Sequence, residues 1–203
     1  MPRVRAFFAP LFVMACALLL SSCYVPMRFD AEITLNRYGI YDIQFDGYMA
    51  ETSLYEEIRQ GNLSPIDENE KVAKIRADLT RESATQSVQY FGKGLFKVNW
   101  HKTGDLMKYS SVVFIRRNNM IFSITYEKDK HRYAFTGAQY GDKLAKKMAE
   151  AGLTIEGEIR FFAKSKAIGH NATRTADAGD RGTVYIWDIK SAADEAPYLY
   201  LAL

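Results

Sequence analysis

Residues Phe29 to Asn36 alternate strictly: Phe29, Ala31, Ile33 and Leu35 are apolar, while Asp30, Glu32, Thr34 and Asn36 are polar. A period of two is that of a strand with one buried face. Asn36-Arg37-Tyr38-Gly39 supplies turn chemistry and Ile40 to Phe45 resumes the extended pattern, so the spacing predicts an antiparallel hairpin whose second strand ends near Gly47. The period then changes to that of helices. Ser53 with Glu56 three residues on has the capping-box spacing, Leu54, Tyr55 and Ile58 share a side, and Gly61 is a stop. Ser64 as cap, Pro65 at the first helical position and acids at Asp67, Glu68 and Glu70 predict a second helix with Val72, Ile75 and Leu79 as its stripe.

From Ser87 to Gly137 the chain reads as short strands: Val88 to Tyr90, Leu95 to His101, Val112 to Arg116, Met120 to Tyr126, and Arg132 to Thr136. Asn118-Asn119 and Lys128-Asp129-Lys130 are the expected reversals. Asp142 to Ala151 predicts a third helix, with Leu144, Met148 and Ala151 inward and Lys143, Lys146 and Lys147 outward. Leu153 to Ala163, Thr183 to Ile189 and Tyr198 to Leu203 read as closing strands. The polar segment Lys164 to Gly182 reads as a long loop. Hairpin-length connections without regular βαβ alternation imply an α+β fold, a mainly antiparallel curved sheet with about three helices packed on one side.

Ahead of this domain, Arg3 and Arg5 precede an apolar run, Ala6 to Leu20, that closes on Leu20-Ser21-Ser22-Cys23. A basic start, a short apolar run and small residues before a cut describe a secretory signal. The tetrapeptide resembles the lipobox of bacterial lipoproteins, in which the cysteine becomes the acylated first residue. The resemblance implies a signal peptide over 1–22, lipidation at Cys23, and a single anchored domain over 23–203. At about 0.8 kcal/mol per buried methylene, two or three acyl chains hold such a protein essentially permanently. The other cysteine, Cys16, lies in the segment to be removed, so the mature chain has no pair to bridge.

Removal of Arg3 and Arg5 takes the 27 basic residues to 25 against 24 acidic ones. A near-neutral exported domain is a poor nucleic-acid binder. His101, His131 and His170 stand in no metal-ligand spacing, so no metal and no cofactor is expected. No G-x-S-x-G or S-x-x-K motif supports nucleophilic catalysis. Asp42, Asp46 and Asp188 lie on predicted strands and are candidates for carboxylate-based glycan hydrolysis, but solvation of a polar strand face explains Asp42 and Asp46 better. Phe91-Gly92-Lys93-Gly94 is too sparse for a phosphate loop and reads as a bend.

Two features point to binding. Lys128, Lys130 and Arg132 around one reversal, with Lys143, Lys146 and Lys147 on one helix, form a candidate membrane-facing basic patch, each charge worth about 1 kcal/mol near anionic headgroups. A solvated helix face is the simpler account of these lysines. Trp100, Tyr126, Tyr185 and Trp187 are candidate ligand-lining aromatics among many that must be core.

The strand Ile155 to Phe162, the loop with Asn171, the Gly182-Thr183-Val184 step, Trp187-Asp188 and the last strand resemble the LppM-type domain of bacterial lipoproteins, as does an opening hairpin that turns at Gly39. Ala163-Lys164 stands where that family has Pro-Gly. The resemblance implies a β-rich α+β envelope domain that interacts with lipids, with no catalytic residues to carry over. The expectation is a non-enzymatic, membrane-anchored lipoprotein that binds a lipid, a glycan or an envelope protein. A structural or assembly accessory acting by protein contact is the alternative, and a hydrolase the third reading. Tyr24 rather than aspartate follows the cysteine, which by resemblance to Gram-negative sorting implies the outer membrane, facing the periplasm.

Overall fold

The structure is a computed structural model and describes residues 24–116 and 119–203. The expected signal peptide and Cys23 lie outside the described residues. Among the described residues twelve strands form two sheets. In the first, β1 (Tyr24–Leu35), β2 (Ile40–Glu51), β3 (Thr85–Tyr90), β4 (Leu95–Asp105), β8 (Glu156–Ala163), β10 (Arg174–Asp177) and β11 (Thr183–Ile189) take the order β10-β11-β8-β1-β2-β4-β3. In the second, β5 (Ser111–Arg116), β6 (Asn119–Glu127), β7 (Arg132–Gly137), β9 (Ala167–His170) and β12 (Tyr198–Ala202) take the order β5-β6-β7-β12-β9. Pairing is antiparallel except between β1 and β8. The helices are α1 (Thr52–Arg59), α2 (Pro65–Leu79), a single turn α3 (Leu106–Tyr109) and α4 (Asp142–Glu150).

The α+β class and the mainly antiparallel pairing are as expected, but the expected single sheet is two. Their apolar faces meet in one core. Phe114 of β5 packs at 4.4 Å on Phe45 and 4.8 Å on Trp100, and Phe135 of β7 lies 5.3 Å from both Phe161 and Trp187. Leu54, Val72, Leu79, Ala145 and Met148 bring α1, α2 and α4 into the same core.

Several boundaries move for identifiable reasons. β2 does not stop near Gly47, because Gly47 lies opposite Phe29 and a β-carbon there would come within 2.4 Å of Phe29 Cβ. The register of β1 shifts between Pro26 and Phe29, as expected where a proline removes a ladder donor. Helix α1 is capped by Glu51, not Ser53: Glu51 is buried and accepts from Leu54 N at 2.7 Å and Ser53 N at 3.3 Å. For α2 the reading holds, with Ser64 accepting from Asp67 N and Pro65 opening the helix. The segment Lys164 to Gly182 is not a plain loop. It carries β9 and β10, four residues each, without a buried apolar face for the sequence to betray.

Candidate functional site

The ends of the domain are defined by β1. Tyr24 opens it and Leu35 closes it, twelve residues that span roughly 36 Å at about 3.3 Å per step. Helix α1 follows the end of β2 that pairs with Tyr24, and α4 follows the end of β7 whose Gly137 lies opposite Phe122 near the start of β6. These helices meet: Tyr55 Oη donates to Ala151 O at 3.0 Å.

Between them lies an apolar cavity of about 250 Å³ lined by Tyr24, Val25, Tyr55, Met120, Leu144 and Met148, with Glu56 and Lys147 among its polar groups. Glu56 is held at about 2 by hydrogen bonds from Arg59 and Gln60, so its charge is answered within α1. Lys147 makes no ion pair among the described residues. Leu144, expected to face inward, is 46 % exposed at the cavity. An apolar recess with an ammonium at its side has the form of a site for an acyl chain attached to an anionic or polar head. Composition did not reveal it. The one signal was that Leu144 and Met148 recur at i,i+4 on a helix whose other face carries lysines.

The six basic residues do not form one patch. Lys143, Lys146 and Lys147 are exposed on α4 at the Tyr24 end. Lys128 and Lys130 lie in a 3-10 turn at the far end of the β6/β7 hairpin, next to Arg132. The far set is also partly neutralised: Glu127 meets Arg132 at 2.6 Å and Lys130 at 3.2 Å, and Arg132 stacks 3.9 Å over the Tyr200 ring. Hydrogen bonding from Arg132 holds the Glu127 carboxyl below its ordinary range.

The four candidate aromatics are not gathered around one ligand site either. Trp100 is 1 % exposed in the core, where its Nε1 finds no hydrogen-bond partner among the described residues. Tyr126 packs on Tyr133 at the far end. Tyr185 is buried edge-on to His170. Trp187 is buried with its Nε1 donating to Asn171 Oδ1 at 2.8 Å.

On the outer face of the first sheet Asp188, Glu158, Asp30 and Asp46 fall in one row across β11, β8, β1 and β2. Cations interleave with them. Arg174 meets Glu158 and Asp188, Arg160 meets Glu158, Asp30 and Glu32, and Lys97 meets Asp46. Asp42 is 3.0 Å from His101 Nε2. Asp46 and Asp188 are shifted down by their Lys97 and Arg174 partners, opposite to the upward shift a general acid needs. Among the described residues no cluster of His, Cys, Asp or Glu could hold a metal ion, and no helix is long and apolar enough to cross a membrane.

No family model matches the chain, and no curated protein matches it. The NMR structure of the folded domain of LppM from Mycobacterium tuberculosis is similar over 89 % of this chain and 91 % of that one, at 8 % identity and a TM-score of 0.41. The LppM-type domain is also the one whose residue pattern this sequence resembles.

Proposed function

We propose that this is an exported bacterial envelope lipoprotein, anchored through acyl chains on Cys23, that acts by binding rather than catalysis and takes an acyl chain as its ligand. The observation that carries the reading is the position of the apolar cavity. Its wall includes Tyr24, the residue that follows Cys23 in sequence. An acyl chain on the anchor, or a bilayer lipid drawn up beside it, starts within reach of the opening. Exposed Leu144 and the three α4 lysines at this end suit contact with an anionic membrane surface. The compartment that follows is a lipid-anchored position at the membrane, in a Gram-negative cell the periplasmic face of the outer membrane.

Native mass spectrometry separates the sources. The chain from Tyr24 onward, incubated with cell-envelope lipid, is expected to retain one lipid, and Met148→Trp, which fills the cavity, is expected to lose it. A lipid-free mass for that chain, with cavity amides protected only in the acylated full-length protein, assigns the site to the anchor's own chain. A lipid-free mass and unprotected cavity in both forms overturns the reading and leaves protein contact as the role.

A further inference from the structure

The two sheets part between β4 and β5. β3 pairs with β4 as far as Trp100, and His101 N donates to Ala84 O, so the outer edge of β4 from Lys102 to Asp105 carries no strand among the described residues. β5 is the terminal strand of its own sheet. Tyr126 N donates to Ser110 O, which sets the alternation of the β5/β6 ladder. Val112 and Phe114 exchange bonds with Ile124 and Phe122, whereas Ser111 and Val113 turn their N–H and C=O groups away from β6. Ser111 and Val113 line a cleft of about 620 Å³ whose opposite wall includes Lys102, Thr103 and Gly104.

Tyr41 supplies a second, independent observation. It is 4 % exposed, yet its hydroxyl lines the cleft over Gly104, where a β-carbon would stand 2.3 Å from it. This hydroxyl has no hydrogen-bond partner among the described residues. Burial raises the phenol's pKa, and the nearby Tyr109, Glu82 and Asp105 raise it further, so it stays a neutral O–H. The ring is buried, but the hydroxyl, with no partner among the described residues, is not itself a buried atom, so it is a hydrogen-bonding group open to whatever enters the cleft.

We propose that the cleft binds an extended, uncharged peptide segment of a partner protein, which adds to β5 as a further strand through Ser111 and Val113 and meets the Tyr41 hydroxyl. The occupant follows from complementarity. Alternating N–H and C=O groups along one edge are matched by an extended polypeptide, not by an acyl chain. The ionic residues of the cleft, Lys102 and Glu82, pair with each other at 3.0 Å, so the lining presents no net charge to its ligand. The bulge between Phe114 and Ile115 ends the usable edge, which makes the added strand short.

The test uses the chain from Tyr24 onward, which contains the whole described core, and a displayed library of octapeptides that alternate β-branched and uncharged polar residues. Selected peptides, made synthetically, are expected to shift the Ser111 and Val113 amide resonances. Val113→Pro removes an N–H that β6 does not use and is expected to weaken binding tenfold or more; Tyr41→Phe is expected to weaken it several-fold. Lys97→Ala, on the outer sheet face, is expected to leave it unchanged. Peptides N-methylated at alternate positions keep the test independent of the variants' folding: one set of alternate positions is expected to abolish binding and the other to spare it. Failure to select any peptide, or binding indifferent to both Val113→Pro and N-methylation, overturns the proposal. So does a concentration-dependent dimer that Val113→Pro dissolves, or a soluble glycan that shifts those amides where peptides do not.

Discussion

Gly157 of β8 lies directly opposite Phe29 of β1, and a β-carbon at Gly157 would stand 2.5 Å from both the Phe29 ring and its carbonyl oxygen. On the other side of Phe29, Gly47 plays the same part from β2. The aromatic ring thus occupies space that two neighbouring strands leave open. Gly157→Ala is expected to lower stability by about 1–3 kcal/mol, the usual cost of overpacking a filled core. Chemical denaturation checks this, and an unchanged midpoint would mean that β8 shifts freely away from β1.

Asn171 organises the return of the chain to its last strand. Its Oδ1 accepts from Trp187 Nε1 and from Tyr198 N, both at 2.8 Å, and its Nδ2 donates to Ala196 O at 2.9 Å. Asn171→Ala leaves the buried indole N–H without a partner and is expected to cost about 2–4 kcal/mol, with the β12 amides losing most exchange protection. Hydrogen exchange followed residue by residue is the measurement.

Glu51 is a buried carboxylate whose visible work is to cap α1. Replacement by alanine removes both cap bonds and is expected to destabilise the domain by about 1–2 kcal/mol, whereas Ser53→Ala is expected to change little. The contrast between the two melting temperatures distinguishes the cap in the structure from the one that spacing alone suggests.

Stability should fall in acid over a defined range. Asp46, Glu127 and Asp188 have carboxyls lowered by Lys97, Arg132 and Arg174, and Glu56 is lowered to about 2 by Arg59 and Gln60. A carboxyl lowered in the folded state binds its proton more readily when unfolded. Its contribution is therefore present above the unfolded value of about 4 and is lost as pH falls through the folded value. Denaturation midpoints are expected to be flat from neutrality to about pH 5 and to decline below it, more weakly at high salt because these pairs are exposed. Asp46→Asn combined with Asp188→Asn should flatten the decline; an equally steep one would assign the acid sensitivity to other groups.

Charge at the two ends should have unequal effects on membrane contact. Lys143, Lys146 and Lys147 lie at the Tyr24 end, roughly 36 Å along β1 from the end that holds Lys128 and Lys130. Replacing the three α4 lysines with glutamine is expected to weaken binding of the acyl-free domain to anionic vesicles by about 2–3 kcal/mol, at about 1 kcal/mol per charge. Glutamine at Lys128 and Lys130 should leave it nearly unchanged. Equal losses in vesicle cosedimentation would show that the domain lies flat on the bilayer.

Strands and helices with local signatures are legible in the amino-acid sequence itself. The alternation of Phe29 to Asn36 reports a buried face because neighbouring side chains on a strand must point apart, and Ser64-Pro65 reports a helix start because the first N–H groups of a helix need outside acceptors. Hydrophobic periodicity, however, says which side is buried and not what buries it. Only tertiary structure decided that β1 pairs with β8, far along the chain, that β5 begins a second sheet instead of extending the first, and that β9 and β10 exist at all. The same holds for the sites. Cys23 is conspicuous because the lipobox resemblance rests on residues contiguous in sequence, the expected signal and the expected processing site. The cavity joins Tyr24, Tyr55, Met120 and Met148 from four distant segments, and the cleft joins Tyr41 to Ser111 and Val113 across the gap between two sheets. Those groupings are products of strand order and register, which are set by the packing of the whole core and not by any local run of residues.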